Sequence, residues 1–442
     1  MTPIIAIAAL VAVAWLAAVL WRSGPLAAAL LVLLAGSCFG YFFYHLDASP
    51  IPLTADRVLF VALILQCALW RRLGWLTPRP AGKPEFVLAA FIATLVVSTL
   101  ANDWTYQHNQ PLSKLLFYYL MPTGMYWAAR QLPLNERSSR WLSGSLALFG
   151  VYLAATAVAE WLRLPELIFP RYIASADYFE FFGRARGPLM NPIGNGYFLA
   201  VGLASTLLWW PRLGRPGQLA LLLVAALFGC GLFATLTRCV WMGAVLMLLV
   251  IAGLTLPRSW RLPCIGGTLL VLVLGGATQW QRLLEFKRDV GQSERETAQS
   301  VELRPILAMV AWRMFVEQPL TGCGFGHYRD KFADVLDRDS DLPLDQARPY
   351  VQHNVWLGLL TETGLPGTGL FIVLLGYWLR DAWRLWHSPA PLWARQYGLL
   401  FLATFGSYLS NGMFQDLTII PMVNMLLFFL AGLTQVRTSE SI

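Results

Sequence analysis

Three short stretches hold the residue types that can bind or activate a substrate. The first is Arg184-Ala185-Arg186-Gly187, followed by Asn191-Pro192 and Asn195. Asn191 suits an N-cap and Pro192 the first helical residue, so a helix N-terminus is expected a few residues after two arginines. The helix dipole and its first amides favour an anion, and guanidinium groups bind phosphate oxygens two at a time. The second stretch is Thr237-Arg238, in a connection so short that Arg238 is held at the rim of an apolar run. A cation buried in lipid costs about 2.5–3.5 kcal/mol at worst, and a phosphate partner would offset that cost. The third is Gln352-His353-Asn354, ahead of Trp356, Leu357, Leu360, Glu362, Gly364 and Pro366. It reads as a short helix that starts at His353 and stops at Gly364, then turns into another apolar run at Pro366. A histidine there can serve as a general base near neutral pH. The plainer readings are rim arginines that snorkel and a histidine that caps a helix.

Other chemistry finds less support. His45, His108, His327 and His387 lack a comparable setting, and no HExxH or carboxylate–histidine spacing suggests a metal. Of six cysteines only Cys323 lies in a long polar segment, so neither a disulfide framework nor a CxxC metal site is read. Gly322, Gly324 and Gly326 form a flexible turn, but no Gly-Lys-Ser/Thr follows as a phosphate loop requires. No cofactor is expected.

The elements that must position these residues follow from composition. Of 442 residues 57% are hydrophobic and only 13% charged, and the charged share is about half that of a soluble domain. Such a chain cannot cover a globule with charge, nor does it resemble a disordered one. It suits lipid. Apolar runs of spanning length fall at about 4–21, 25–44, 57–74, 85–101, 112–130, 141–162, 192–210, 217–236, 239–256, 263–279, 365–386, 396–412 and 417–436. An all-α integral membrane protein of about 12–13 transmembrane helices is expected, with one long, partly helical loop on the outer side. The spans divide as helices 1–10 in 1–279, the loop at 280–352, and a short outer helix plus three spans in 353–442, one membrane domain overall. No basic n-region precedes the first run, and the first positive charge, Arg22, follows it, which favours an N-terminus outside.

The net charge of +8 points to topology rather than nucleic acid, because the basic residues are dispersed. One set of connections carries Arg22; Arg71, Arg72, Arg79 and Lys83; Arg130, Arg137 and Arg140; Arg212 and Arg215; Arg258 and Arg261; Arg380, Arg384 and Arg395; and Arg437. The alternate set is richer in acids, with Asp47, Asp56, Asp103, Glu166, Asp177 and Glu180. By the positive-inside rule the first set is cytoplasmic. The three stretches with chemistry then face outward, together with Arg57, Arg163, Arg171 and a single lysine, Lys114. The long outer loop mixes charges, from Glu285, Lys287 and Arg288 to Asp337, Arg338, Asp339 and Asp341. Inside it Leu303, Leu307, Val310 and Met314 recur at helical spacing around Arg304-Pro305, which predicts an amphipathic helix over 304–317. Its apolar face should lie on the membrane or roof the bundle.

The stretches RARGPLMNPIGNG, TLTRCVW, RPILAMVAWRMFVEQPLTGCGFGHY and HNVWLGLLTETGLPG resemble, in that order, signatures of the O-antigen ligase and polymerase superfamily. The resemblance covers roughly 180–375. It implies a metal-independent glycosyltransferase at the periplasmic face of the bacterial inner membrane, moving a glycan from undecaprenyl diphosphate to an acceptor hydroxyl, and it makes the long outer loop periplasmic. Arg184 and Arg238 stand where the family has arginines linked with the lipid diphosphate, with Arg186 a further candidate, and His353 stands where the family activates the acceptor. Arg304 matches the arginine at the head of the family's loop helix, and Asn354 and Glu362 are further candidates for supporting places. Thr237 replaces the usual serine, and Arg186 occupies a position usually small, which leaves open which of Arg184 and Arg186 meets phosphate. The acceptor is a lipid A core for a ligase or a growing glycan for a polymerase of exopolysaccharide or O-antigen. Membrane lipids are the surroundings. A lipid or polysaccharide transporter is the rival from another class, but it predicts charges at mid-membrane, and the middles of the spans carry almost none.

Overall fold

A computed structural model describes residues 22–46, 52–105, 110–178, 180–284, 294–336 and 352–435. The expected span at 4–21 lies outside them, as do Asp47, His108, Arg437 and the loop charges Glu285, Lys287, Arg288, Asp337, Arg338, Asp339 and Asp341. Among the described residues the chain is helical, with one isolated antiparallel bridge between Leu46 and Leu53.

The helices are α1 (Arg22–Cys38), α2 (Ala55–Arg72), α3 (Lys83–Ala101), α4 (111–131, with a π-helical stretch at Leu115–Leu120) and α5 (Glu136–Trp161). They continue with α6 (Pro192–Leu207), α7 (Arg215–Ala234), α8 (Arg238–Thr255), α9 (Arg258–Leu284) and α10 (Glu294–Glu317). The last are α11 (Tyr328–Leu336), α12 (Val355–Trp386), α13 (Leu392–Gly412) and α14 (Pro421–Leu433). Every expected span that falls on described residues overlaps one of these. Five are long and apolar enough to cross a membrane by length and composition: α3, α5, α7, α8 and α12. Others fall short for simple reasons: α2 carries Asp56, Arg57, Arg71 and Arg72 at its ends, and α6 has 16 residues. The protein is an all-α membrane protein.

Burial sorts these helices into inner and outer positions. Every residue from Met422 to Leu433 of α14 is buried, and so is α6 from Pro192 to Thr206, the pattern of helices apolar all round and enclosed by others. By contrast Leu148 of α5 is 72% exposed and Leu223 of α7 is 75% exposed, as a lipid-facing surface requires. Small residues set the close crossings, since lipid gives no hydrophobic drive for helices to associate. A Cβ on Gly150 of α5 would stand 2.7 Å from the Cα of Gly202 of α6, so those backbones touch.

The basic connections gather at one end of the bundle. Arg79 donates to the carbonyls of Gln435 and Leu132, Arg130 to that of Pro80, and Arg212 to the side chain of Gln396. The stretches with chemistry lie at the opposite ends of the same helices.

Two loop expectations change. The loop helix α10 begins at Glu294, not at 304, and holds Pro305 inside it; the proline removes one helical hydrogen bond without starting the helix. The predicted apolar face is correct: Leu307, Val310 and Met314 are buried with Tyr328 and Phe332, and Leu357 of α12 packs against them. The glycine turn is a fixed strap and not a flexible one. Gly322, Gly324 and Gly326 have φ of +66°, +100° and +83°, a region that only glycine enters cheaply. Cys323 N–H donates to Thr361 O at 2.8 Å and Phe325 N–H to Ser98 Oγ at 2.9 Å. The strap thus ties the loop to α12 and α3. In α12 the expected break at Gly364 appears as a left-handed residue, φ +64°, which separates the short outer helix from the span after it.

Candidate functional site

The Arg184–Gly187 stretch is fixed at nearly every backbone polar atom. Ala185 N–H donates to Ala234 O at 2.9 Å, at the end of α7, and Asn195 Nδ2 donates to Ala185 O at 3.1 Å. The Glu160 carboxylate, at the end of α5, accepts from Arg186 N–H at 3.1 Å and Gly187 N–H at 3.0 Å. Asn191 caps α6 as its type and spacing predict, accepting from Ile193 N–H at 2.9 Å and Gly194 N–H at 3.2 Å. Those are amides an anion would use, so the helix N-terminus is already occupied by its own cap.

The two arginines part company here. Arg186 is 1% exposed, and its guanidinium donates to the carbonyls of Ile173, Ser175, Tyr178 and Glu180. All five of its N–H groups are engaged in shaping the 171–183 loop. Burial pulls Arg186 below the usual arginine range, with the Glu160 charge opposing. Arg184 is buried with its Cζ 5.3 Å from the centroid of the Phe181 ring. Because Ala185 is bonded to Ala234, Arg184 is tied to the α7–α8 turn, which presents Arg238.

Arg238 is the first residue of α8, after Thr237, whose hydroxyl donates to Thr235 O at 2.7 Å. Arg304 of α10 lies near enough for the two positive charges to repel. It also stands over the ring of Phe414, Cζ 5.3 Å from the centroid. Burial holds Arg304 below the usual arginine range, yet an arginine so shifted stays a cation at neutral pH. His353 completes the cluster: its side chain is hydrogen-bonded to that of Gln415 and feels the Arg304 charge. Burial first, then Arg304, lowers its pKa below the usual 6.5, against the Gln415 bond that raises it. At pH 7 the imidazole is therefore neutral and can take a proton.

The supporting residues divide. Asn354 caps α12, accepting from Trp356 N–H at 2.9 Å and Leu357 N–H at 3.1 Å, and its Nδ2 donates to Met413 O at 3.0 Å. It fixes the backbone at which His353 turns, in a left-handed conformation with φ +44°. Glu362 is engaged elsewhere, with Oε1 3.9 Å from Nζ of Lys114. His327 has a carboxylate partner that its sequence setting did not suggest, Asp330 Oδ2 at 2.9 Å from Nδ1.

Sequence reasoning missed Phe414, Gln415 and Asp416. A signal was present for the last two, since Gln415-Asp416 is a polar pair between two apolar runs. Among the described residues no group of three or more His, Cys, Asp or Glu could hold a metal ion.

Together these features define a polytopic helical membrane protein with an arginine–histidine cluster at the end of the bundle opposite its basic connections. The O-antigen ligase family model matches residues 198–372, a span that includes Arg238, Arg304, His353 and Glu362 but not Arg184 or Arg186. The chain is also similar to an O-antigen ligase of Pseudomonas aeruginosa, 29% identical over 357 residues, which cover 79% of this chain and 76% of the relative. Both comparisons point to O-antigen ligases, the proteins whose signatures the motifs resemble.

Replacing Arg186 tests its assignment to the loop. Arg186→Gln should cost about 3–5 kcal/mol of stability, as removal of one partner from a buried charged network does. Arg171→Gln, at an exposed arginine that donates to Pro165 O at 2.7 Å, should stay within about 1.5 kcal/mol. Thermal unfolding of the purified protein in detergent, with proteolysis of the 171–183 loop, measures both.

Proposed function

We propose that the chain is a ligase that transfers a glycan from undecaprenyl diphosphate to a hydroxyl of a lipid A core. It would work at the periplasmic face of the inner membrane and without a metal. The convergence of Arg238, Arg304 and His353 from three separate elements carries this reading. In the reaction the bond between the anomeric carbon and the phosphate oxygen breaks, and its electron pair goes to the diphosphate. The acceptor oxygen bonds to the anomeric carbon, and its proton passes to the His353 imidazole. Negative charge grows on the diphosphate as the bond breaks, so fixed guanidinium groups favour the transition state over the bound substrate. Arg238 and Arg304 supply that charge, with Arg184 beside the same turn. The mutual repulsion of Arg238 and Arg304 is relieved when an anion enters between them. A neutral His353 is the protonation state that a general base needs.

His353→Ala should reduce transfer by about 10²–10⁴-fold while the protein still folds and inserts. Arg238→Ala should weaken use of the diphosphate donor far more than Arg171→Ala does. The assay is transfer from a lipid-linked glycan to rough lipopolysaccharide by the purified protein. Full activity of the His353 variant would remove the base from the scheme, and equal effects of the two arginines would make both mere rim charges.

The pH profile follows from the shift at His353. A base with a lowered pKa is active above that value and fails as pH falls through it, so the acid limb of kcat/KM should lie below pH 6.5. Removing the repelling charge with Arg304→Gln should move that limb upward, whatever it does to the maximal rate. An acid limb that does not move would assign it to another group.

A further inference from the structure

Beside the arginine–histidine cluster a second polar feature opens, which the diphosphate chemistry leaves unused. A cavity of about 60 Å³ is lined by Lys114 of α4, Phe325 of the strap, Tyr328 of α11, Gln352, Glu362 and Asp416. At the ~10–15 Å³ that one water needs by this measure, it admits roughly four waters or one edge of a sugar ring. Two side chains reach it with unmet hydrogen-bonding capacity. Tyr328 is 3% and Gln352 7% exposed, yet the Tyr328 hydroxyl and Gln352 Oε1 have no hydrogen-bond partner among the described residues. Burying such groups unmet costs about 1–3 kcal/mol each, so a ligand able to satisfy them gains by binding. The charged groups of the lining balance, with Lys114 and Arg329 against Glu362 and Asp416, which suits a neutral, hydroxyl-rich ligand better than a phosphate. Phe325, Tyr118 and Tyr119 give the apolar surface on which the C–H face of a ring can rest.

The cavity is also built into the base. Gln352 precedes His353, and Asp416 follows Gln415. Gln352 Nε2 donates to Asp416 Oδ2 at 3.4 Å, while Gln415 bonds His353. Two neighbouring residues thus pair with two others, one pair lining the cavity and the other holding the imidazole. We propose that this cavity is the subsite for the terminal neutral sugar of the acceptor, which the Tyr328 hydroxyl, Gln352 Oε1 and Asp416 hold by its hydroxyl groups. The inference rests on the ligase reading, since it assigns the hydroxyl that His353 would deprotonate.

Direct binding to the full-length protein tests it without turnover. The probes are rough lipopolysaccharide with a complete core and, separately, undecaprenyl diphosphate. Tyr328→Phe and Gln352→Leu should each weaken rough-lipopolysaccharide binding about three- to tenfold and leave undecaprenyl diphosphate binding unchanged, whereas Arg238→Ala should do the reverse. Tyr328→Phe removes only an oxygen and keeps the packing, so its result does not hinge on folding. Failure of the wild-type protein to bind rough lipopolysaccharide would overturn the subsite. So would unchanged affinity in both variants, or an equal loss for both probes. If the wild-type protein binds both probes but transfers nothing, the ligase reading fails, while the cavity is still decided by the affinities.

Discussion

Like charges held together at a lipid rim are the constraint around which this molecule is organised. Arg238 and Arg304 repel each other, and burial works against the charge on each. Nothing in the chemistry of two guanidinium groups brings them together, so the packing of the rest must. Arg238 is placed by the start of α8, whose preceding turn is bonded through Ala234 to the Arg184 stretch. Arg304 is placed by α10, whose apolar face is anchored on α11 and α12. The glycine strap from 322 to 326 fastens that loop to α3 and α12 through the Cys323 and Phe325 amides. A structure that spends packing energy to gather cations is suited to a polyanion.

The same constraint explains why His353 is set as it is. Its left-handed backbone is fixed by Asn354, which caps the next helix, and its ring is held by Gln415. Burial, aided by the Arg304 charge, keeps the imidazole neutral, and Arg304 is also one of the charges proposed to meet the diphosphate. One residue therefore couples the two halves of the chemistry. In the proposed reaction, a diphosphate that neutralised Arg304 would make the imidazole a better proton acceptor at the moment when the acceptor must lose its proton.

Much of this was legible in the sequence, for physical reasons. Spans, caps and sidedness depend on local composition, so Asn191 caps α6 and the helical runs fall where apolar residues accumulate. Arg238 and His353 stood out because a charged or titratable residue at a lipid boundary is costly. What was not legible depended on contacts distant in the chain. The engagement of Arg186 rests on carbonyls at 173, 175, 178 and 180 that turn toward it only in the folded loop. The residues that hold His353 and line the cavity, Gln415 and Asp416, lie more than sixty positions away. A proline inside α10 was read as a helix start because sequence alone does not separate the two uses of that residue. Three glycines in a row of alternate positions suggested flexibility, but their positive φ serves a tight strap.

The most direct test of the account is a structure of the full chain with undecaprenyl diphosphate bound, in lipid nanodiscs. The account predicts the phosphate groups between Arg238 and Arg304, with Arg186 still bonded to its loop carbonyls. Phosphate density at the opposite end of the bundle, among Arg79, Arg130 and Arg212, or at the outer end but away from both Arg238 and Arg304, would contradict it.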